Sequence, residues 1–287
     1  MDENRFKLQE VFMIDQMVGY FRSFFENPNA LGIGLAIAFG AVWLACYWPP
    51  LFKRPWLWAV LVSSAFLTLA AVWFIQYPLQ VWSGQALNHF WSEEVLGRWV
   101  LLAAIPQILL TGLVQEGSKL VPVVVYWWRS GKSLDPKLGL VIGAVAGAGF
   151  AIFEARWVLS QWTWELLQTY GFMALLAFWE RFFTVAAHIA FSALAGYGLA
   201  KGWGWQFYLI TSLLHGLLNY SAVFQATGLL TDLQVEIYVA VLAVLVTAWA
   251  LWLRWRKTRI AAEPAVLSPE VATVETGLPP GASSNQE

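Results

Sequence analysis

The chain has 287 residues, 59% of them hydrophobic and 12% charged, with a formal net charge of −1. That charged fraction is half the ~25% of an ordinary soluble domain, and with 19 tryptophans and a mean hydropathy of +0.58 it excludes a soluble globular protein. No basic stripe offers itself to nucleic acid, and a single cysteine, Cys46, excludes an intramolecular disulfide.

The opening Met1-Asp2-Glu3-Asn4-Arg5 lacks the cationic-then-apolar order of a signal peptide, so the first span is expected to stay in the mature protein. Over residues 1–30, Leu8, Val11, Ile14, Val18, Phe21 and Phe25 recur at steps of three and four. Glu10, Asp15, Gln16 and Arg22 fall mostly on other faces, which predicts an amphipathic helix lying in the membrane interface or against a soluble partner. Apolar spans are predicted at 31–48, 56–75, 99–128, 138–160, 171–200, 205–224 and 235–254. Each approaches the roughly 20 residues that cross a bilayer as a helix, and the ~30 residues of the third and fifth imply tilt, a kink or an extramembrane end. The segment 76–98 holds Pro78, Gly84, Glu93 and Glu94 and reads as a loop with room for a short surface helix. Residues 255–287 are basic and then, past Arg259, rich in Pro, Ser, Glu, Thr and Gly, which predicts a disordered tail.

The expected fold is an all-α integral membrane protein, about seven transmembrane helices in one bundle over 31–254 with a central polar site. Under that count one side collects ten loop cations: Lys53, Arg54, Arg129, Lys132, Lys137, Lys201, Arg254, Arg256, Lys257 and Arg259. The other side collects four, Arg5, Lys7, Arg22 and Arg98. The positive-inside rule then puts the C-terminus in the cytoplasm and the N-terminus outside. No long internal repeat of the kind that builds many transporters stands out.

Six ionisable side chains sit inside the apolar runs, where each is costly unless paired or wetted. The third span carries Gln115-Glu116-Gly117-Ser118-Lys119, in which Gln115 and Lys119 share a face and Glu116 can meet Lys119. This is either a mutually neutralised buried pair or a carboxylate whose ionisation Lys119 holds for work on water. The fourth span has Gly143-xxx-Gly147, a small-residue pattern that lets helices approach, followed by Phe150 and Glu154 one turn apart. On the fifth, Arg181, Thr184 and His188 share one face, and on the sixth His215 and Asn219 stand one turn apart. Glu116, His188 and His215 fall near mid-membrane with Glu154 displaced outward, which predicts one shared site. Two imidazoles and a carboxylate from His188, His215 and Glu154 match the ligand set of a catalytic zinc. A metal-free mechanism based on glutamate fits the same residues.

In order, Gln115-Glu116-Gly117-Ser118-Lys119, Phe150-Ala151-Ile152-Phe153-Glu154, Arg181 with His188, and His215-Gly216-Leu217-Leu218-Asn219 resemble the PrsW family of intramembrane proteases, relatives of the CAAX-protease superfamily. The resemblance covers about 105–222 and departs at Gln115, where the family has a first glutamate. It implies an endopeptidase of a bacterial cytoplasmic membrane acting on membrane-anchored proteins such as anti-sigma factors. Glu116, His188, His215, Glu154 and Asn219 would be catalytic, and Gln115, Lys119, Phe150 and Arg181 supporting. Gln115 also motivates a second reading, a non-catalytic binder of membrane proteins, and the buried charges a third, an ion- or proton-coupled transporter.

Overall fold

The computed structural model describes residues 19, 22, 25–26, 29–160, 168–171 and 175–257. The predicted amphipathic segment 1–30 and the tail therefore lie almost wholly outside the described residues. The rest is helical with no strand among the described residues. The helices are α1 (Ala30–Ala45), α2 (Trp56–Ala71), α3 (Tyr77–Phe90), α4 (Glu93–Arg98), α5 (Val100–Ala103), α6 (Ile105–Arg129), α7 (Pro136–Ser160), α8 (Leu176–Ala200), α9 (Gly204–Ala226) and α10 (Asp232–Trp255).

Six stretches among the described residues have the length and apolar character to cross a membrane: Trp56–Phe90, Val100–Arg129, Pro136–Ser160, Phe178–Ala200, Gly204–Ala226 and Asp232–Trp255. The seventh expected span is α1, apolar but 16 residues long, or about 24 Å against a hydrocarbon core of ~30 Å. Of the two overlong segments, the third is interrupted at Ala104 and the fifth is helical from Leu176. The loop expected over 76–98 is instead mostly helix. A π-helical turn, Val72–Gln76, carries α2 directly into α3, giving 35 continuous residues. Pro78 falls where the helical pattern changes: Tyr77 N–H still reaches back to the Val72 carbonyl, and the π-helical turn accommodates the missing proline donor at the start of α3. Gln76 and Gln80, which interrupt the apolar run, face α6, and Glu93 and Glu94 lie in the first turn of α4, where carboxylates favour a helix.

The α7 and α8 helices form the buried centre. Gly147 allows their close contact: a Cβ there would stand 2.5 Å from the His188 carbonyl oxygen. Gly112 does the same between α6 and α9, where a Cβ would collide with the Ser212 carbonyl. These two approaches set the distances among the four helices that carry the polar residues. Within α6, Pro122 leaves the Ser118 carbonyl, two residues past Glu116, without its usual helical donor. Ser118 is tied sideways through its hydroxyl to Thr68 of α2 at 3.2 Å.

Candidate active site

Glu116 and Lys119 are one turn apart on α6, and both side chains are fully buried. Lys119 Nζ donates to Glu116 Oε1 at 2.5 Å and also contacts His188 Nδ1 on α8 at 2.9 Å. The far ring nitrogen, His188 Nε2, meets Glu154 Oε2 of α7 at 2.9 Å, and Arg181 lies 3.5 Å from the same oxygen. On the other flank His215 Nδ1 of α9 meets Glu116 Oε1 at 2.6 Å. One continuous polar chain thus runs His215–Glu116–Lys119–His188–Glu154–Arg181 across four helices.

Hydrogen-bond chemistry assigns the protons along it. An ammonium only donates, so His188 Nδ1 accepts from Lys119 and the neutral ring carries its proton on Nε2, donating to Glu154. An ionised carboxylate only accepts, so His215 Nδ1 donates to Glu116 and leaves the Nε2 lone pair free. Glu116 Oε2 is buried with no hydrogen-bond partner. A buried acceptor left without a donor costs about 1–3 kcal/mol, more when charged, so this oxygen marks a place for a water, a substrate group or a cation.

Aromatic rings fix the imidazoles. Phe150 packs edge-on against His188, with centroids 5.3 Å apart, and its ring lies 5.4 Å from Lys119 Nζ. Phe191, whose role the sequence reading did not assign, stacks on His215 at 5.8 Å. The only available signal was its position three residues past His188 on one helix. The two imidazole centroids are 5.0 Å apart.

Access comes from the Glu154 end. A pocket of about 310 Å3 is lined by Glu154, Glu180, Arg181, Thr184, His188 and Asn219, among others. Glu154 keeps 21% of its side chain exposed while His188 keeps 2%, so the wet carboxylate separates solvent from the dry pair. Asn219 lines this opening, and its side-chain amide makes no hydrogen bond to a described residue. Arg181 is paired with Glu180 on its own helix, and Thr184 donates to the Glu180 carbonyl.

The donor atoms of Glu116, His188 and His215 lie within 4.8 Å of one another and would suit a metal ion. The sequence expectation had Glu154 as the carboxylate of that set. The structure groups Glu116 with the imidazoles and gives Glu154 to the outer nitrogen of His188. A carboxylate and two imidazoles are a zinc-type set, and the orphaned Glu116 Oε2 fits it; a metal on His188 Nδ1 would displace the Lys119 ammonium from that nitrogen, so the proton pattern above belongs to the metal-free site.

Gln115 sits elsewhere. Its amide Nε2 donates to Gln76 Oε1 at 3.2 Å, within a cluster in which Gln76 and Gln80 donate to Thr111, and Gln80 exchanges hydrogen bonds with Gln107. The residue that departs from the family pattern therefore points toward α2 and α3.

A family model described as PrsW family intramembrane metalloprotease matches residues 53–249, more than half of the chain. Comparisons with curated proteins and with solved structures gave no match.

Proposed function

This chain belongs to the PrsW family of intramembrane proteases, and from that premise we propose that it hydrolyses peptide bonds of membrane-anchored proteins, regulatory ones such as anti-sigma factors included. The observation that carries the reading is Glu116: fully buried, gripped through one oxygen by Lys119 and His215, with the other oxygen bare. A base must be ionised, oriented and within reach of its water. Lys119 holds the charge, His215 holds the orientation, and Oε2 is left to accept the proton.

In the proposed reaction Glu116 Oε2 takes a proton from water as the oxygen attacks the scissile carbonyl carbon. The resulting oxyanion accepts a hydrogen bond from the Asn219 amide, a contribution of about 3 kcal/mol where such donors have been removed from other proteases. The proton then passes to the amide nitrogen as the C–N bond breaks. Lys119 and Arg181 contribute electrostatic support, and Phe150 keeps His188 and Lys119 in register.

The convergence of Glu116, His188 and His215 favours a metal-assisted version as well. Zinc held by these three would supply a Lewis acid and a water acidic near neutral pH. With Glu116 engaged, the proton-accepting role would fall to Glu154 on the open pocket, while its hydrogen bond to His188 orients that ring. The test is cleavage of a panel of single-span membrane proteins by the purified protein in lipid, beside Glu116→Gln, with and without a zinc chelator. Cleavage by the natural chain and not by Glu116→Gln supports the protease. Chelator sensitivity reversed by zinc assigns the metal version, and chelator resistance assigns the glutamate version. Cleavage that survives Glu116→Gln overturns both.

A further inference from the structure

A second cleft lies at the opposite end of the bundle from the candidate active-site pocket. It holds about 650 Å3, within the ~300–1,000 Å3 of small-molecule sites, and opens between the end of α1, the α1–α2 connection and the end of α10. Ala41, Leu44, Trp48 and Phe52 give it an apolar wall, and Lys53 and Arg254 line it with two cations. Lys53 makes no hydrogen bond or ion pair among the described residues. Arg254 Nε donates to the Tyr47 carbonyl at 2.9 Å, which leaves four of its five N–H donors for another acceptor. Asp135 is near enough to Arg254 to interact electrostatically, but forms no ion pair with it, and its Oδ2 accepts from Leu138 N at 2.8 Å.

The wall is built and held. Trp48 adopts φ +50, a left-handed conformation costly for a bulky residue. Arg254 grips the Tyr47 carbonyl and Trp255 Nε1 the Cys46 carbonyl at 3.1 Å, so the last helix fixes the connection that carries this strain. Trp48 is 74% and Phe52 92% exposed, large aromatics at the ends of apolar helices, where a bilayer changes from hydrocarbon to headgroup.

From this juxtaposition we infer that the cleft binds one anionic phospholipid, its phosphate between Lys53 and Arg254 and its acyl chains along Ala41, Leu44 and Phe52. A free phosphate would satisfy the cations and leave the apolar wall without purpose. A zwitterionic lipid brings the same phosphate but tethers a cation beside it, which opposes Lys53 and Arg254. An anionic amphiphile uses both without that opposing charge, and the membrane supplies it next to the cleft. Basic pockets among spanning helices recognise anionic headgroups by this combination.

The test uses the full chain in nanodiscs of dioleoyl phosphatidylcholine doped with dioleoyl phosphatidylglycerol, with bound lipid counted by native mass spectrometry after release. The expected result is one retained phosphatidylglycerol, preferred over phosphatidylcholine, with affinity about fivefold weaker in Lys53→Gln. Lys201→Gln, an equal charge loss in another connection, should leave it unchanged. Ala41→Phe, which fills the cleft without altering charge, should remove the retained lipid. Equal retention of the two lipids overturns the inference, as does an unchanged affinity in Lys53→Gln. A loss in Lys201→Gln as large as in Lys53→Gln assigns the effect to general surface charge, and full competition by inorganic phosphate assigns it to a free-anion site. Each of these rejects the lipid.

Discussion

On Glu116 two hydrogen bonds meet at one oxygen while the other has none, and this asymmetry separates its structural from its chemical role. Glu116→Gln keeps the shape and a hydrogen-bonding oxygen for Lys119 and His215 but cannot take a proton from water. Cleavage should fall by about 10²–10⁴, the usual worth of a general base, and the thermal unfolding midpoint should fall as well, because the amide keeps an acceptor for Lys119 but not its counter-charge. Glu116→Ala strips the buried ammonium and His215 of their shared acceptor as well as of the counter-charge, and breaking such pairs costs about 3–5 kcal/mol. Its yield of folded protein should therefore collapse together with activity, and equal stabilities for the two variants would sink this account of the pair. Gln115 permits a second prediction. Its partner is Gln76, so Gln115→Glu should place a carboxylate in the amide cluster and raise cleavage no more than twofold. A tenfold gain in a peptide-release assay would move the base to that position and reopen the reading of the natural chain as a non-catalytic binder.

At the scale of helices, the site depends on small residues that bear no chemistry. Gly147 of α7 packs on the carbonyl of His188 itself, so a methyl group there must push α8 away and shift the ring that joins Lys119 to Glu154. Overpacking of this kind costs about 1–3 kcal/mol, and at ~2–4 °C per kcal/mol for a chain of this size the Gly147→Ala midpoint should drop by several degrees. Cleavage at temperatures well below that midpoint should fall too. Gly84 of α3 has only the Gln107 side chain nearby, at 3.7 Å from an added Cβ, so Gly84→Ala should leave both readings the same or raise stability slightly. If the two variants behave alike, helix spacing is not what aligns the site. The same elements show what the sequence revealed. Charges inside apolar runs exposed Glu116, Lys119, His188 and His215, because a buried ionisable group needs a reason. Helix α3 stayed hidden, because Pro78 and Gly84 read as breakers although both lie within it. The choice between Glu116 and Glu154 as companion of both imidazoles was also hidden, since it turns on helix rotation and interhelical distance, which spacing along one chain does not encode.

For the molecule as a whole, the question with most consequence is which end faces the cytoplasm. The structure gathers the connections by side. Trp56 at the start of α2 stacks on Tyr126 near the end of α6 at 4.8 Å, and Arg254 near the end of α10 donates to Tyr47. Lys53, Arg54, Arg129, Lys132 and Arg254 therefore lie at one end of the bundle, and the pocket of Glu154, Arg181 and Asn219 opens toward the other. Under the positive-inside rule the cationic end would face the cytoplasm; the candidate pocket would then lie toward the outer half of the bilayer, and the prediction is that substrates are cut in the outer half of their spans. Cys46 makes the assignment testable without mutation, because it is the single cysteine and is exposed at the cationic end. A membrane-impermeant maleimide should label it in inverted vesicles and spare it in intact spheroplasts. Labelling in spheroplasts alone would invert the bundle, and the cleavage sites mapped on its substrates should then fall in the cytoplasmic half. Because label and cleavage position are read independently, agreement between them tests both the orientation and the claim that the Glu154 pocket is the entrance.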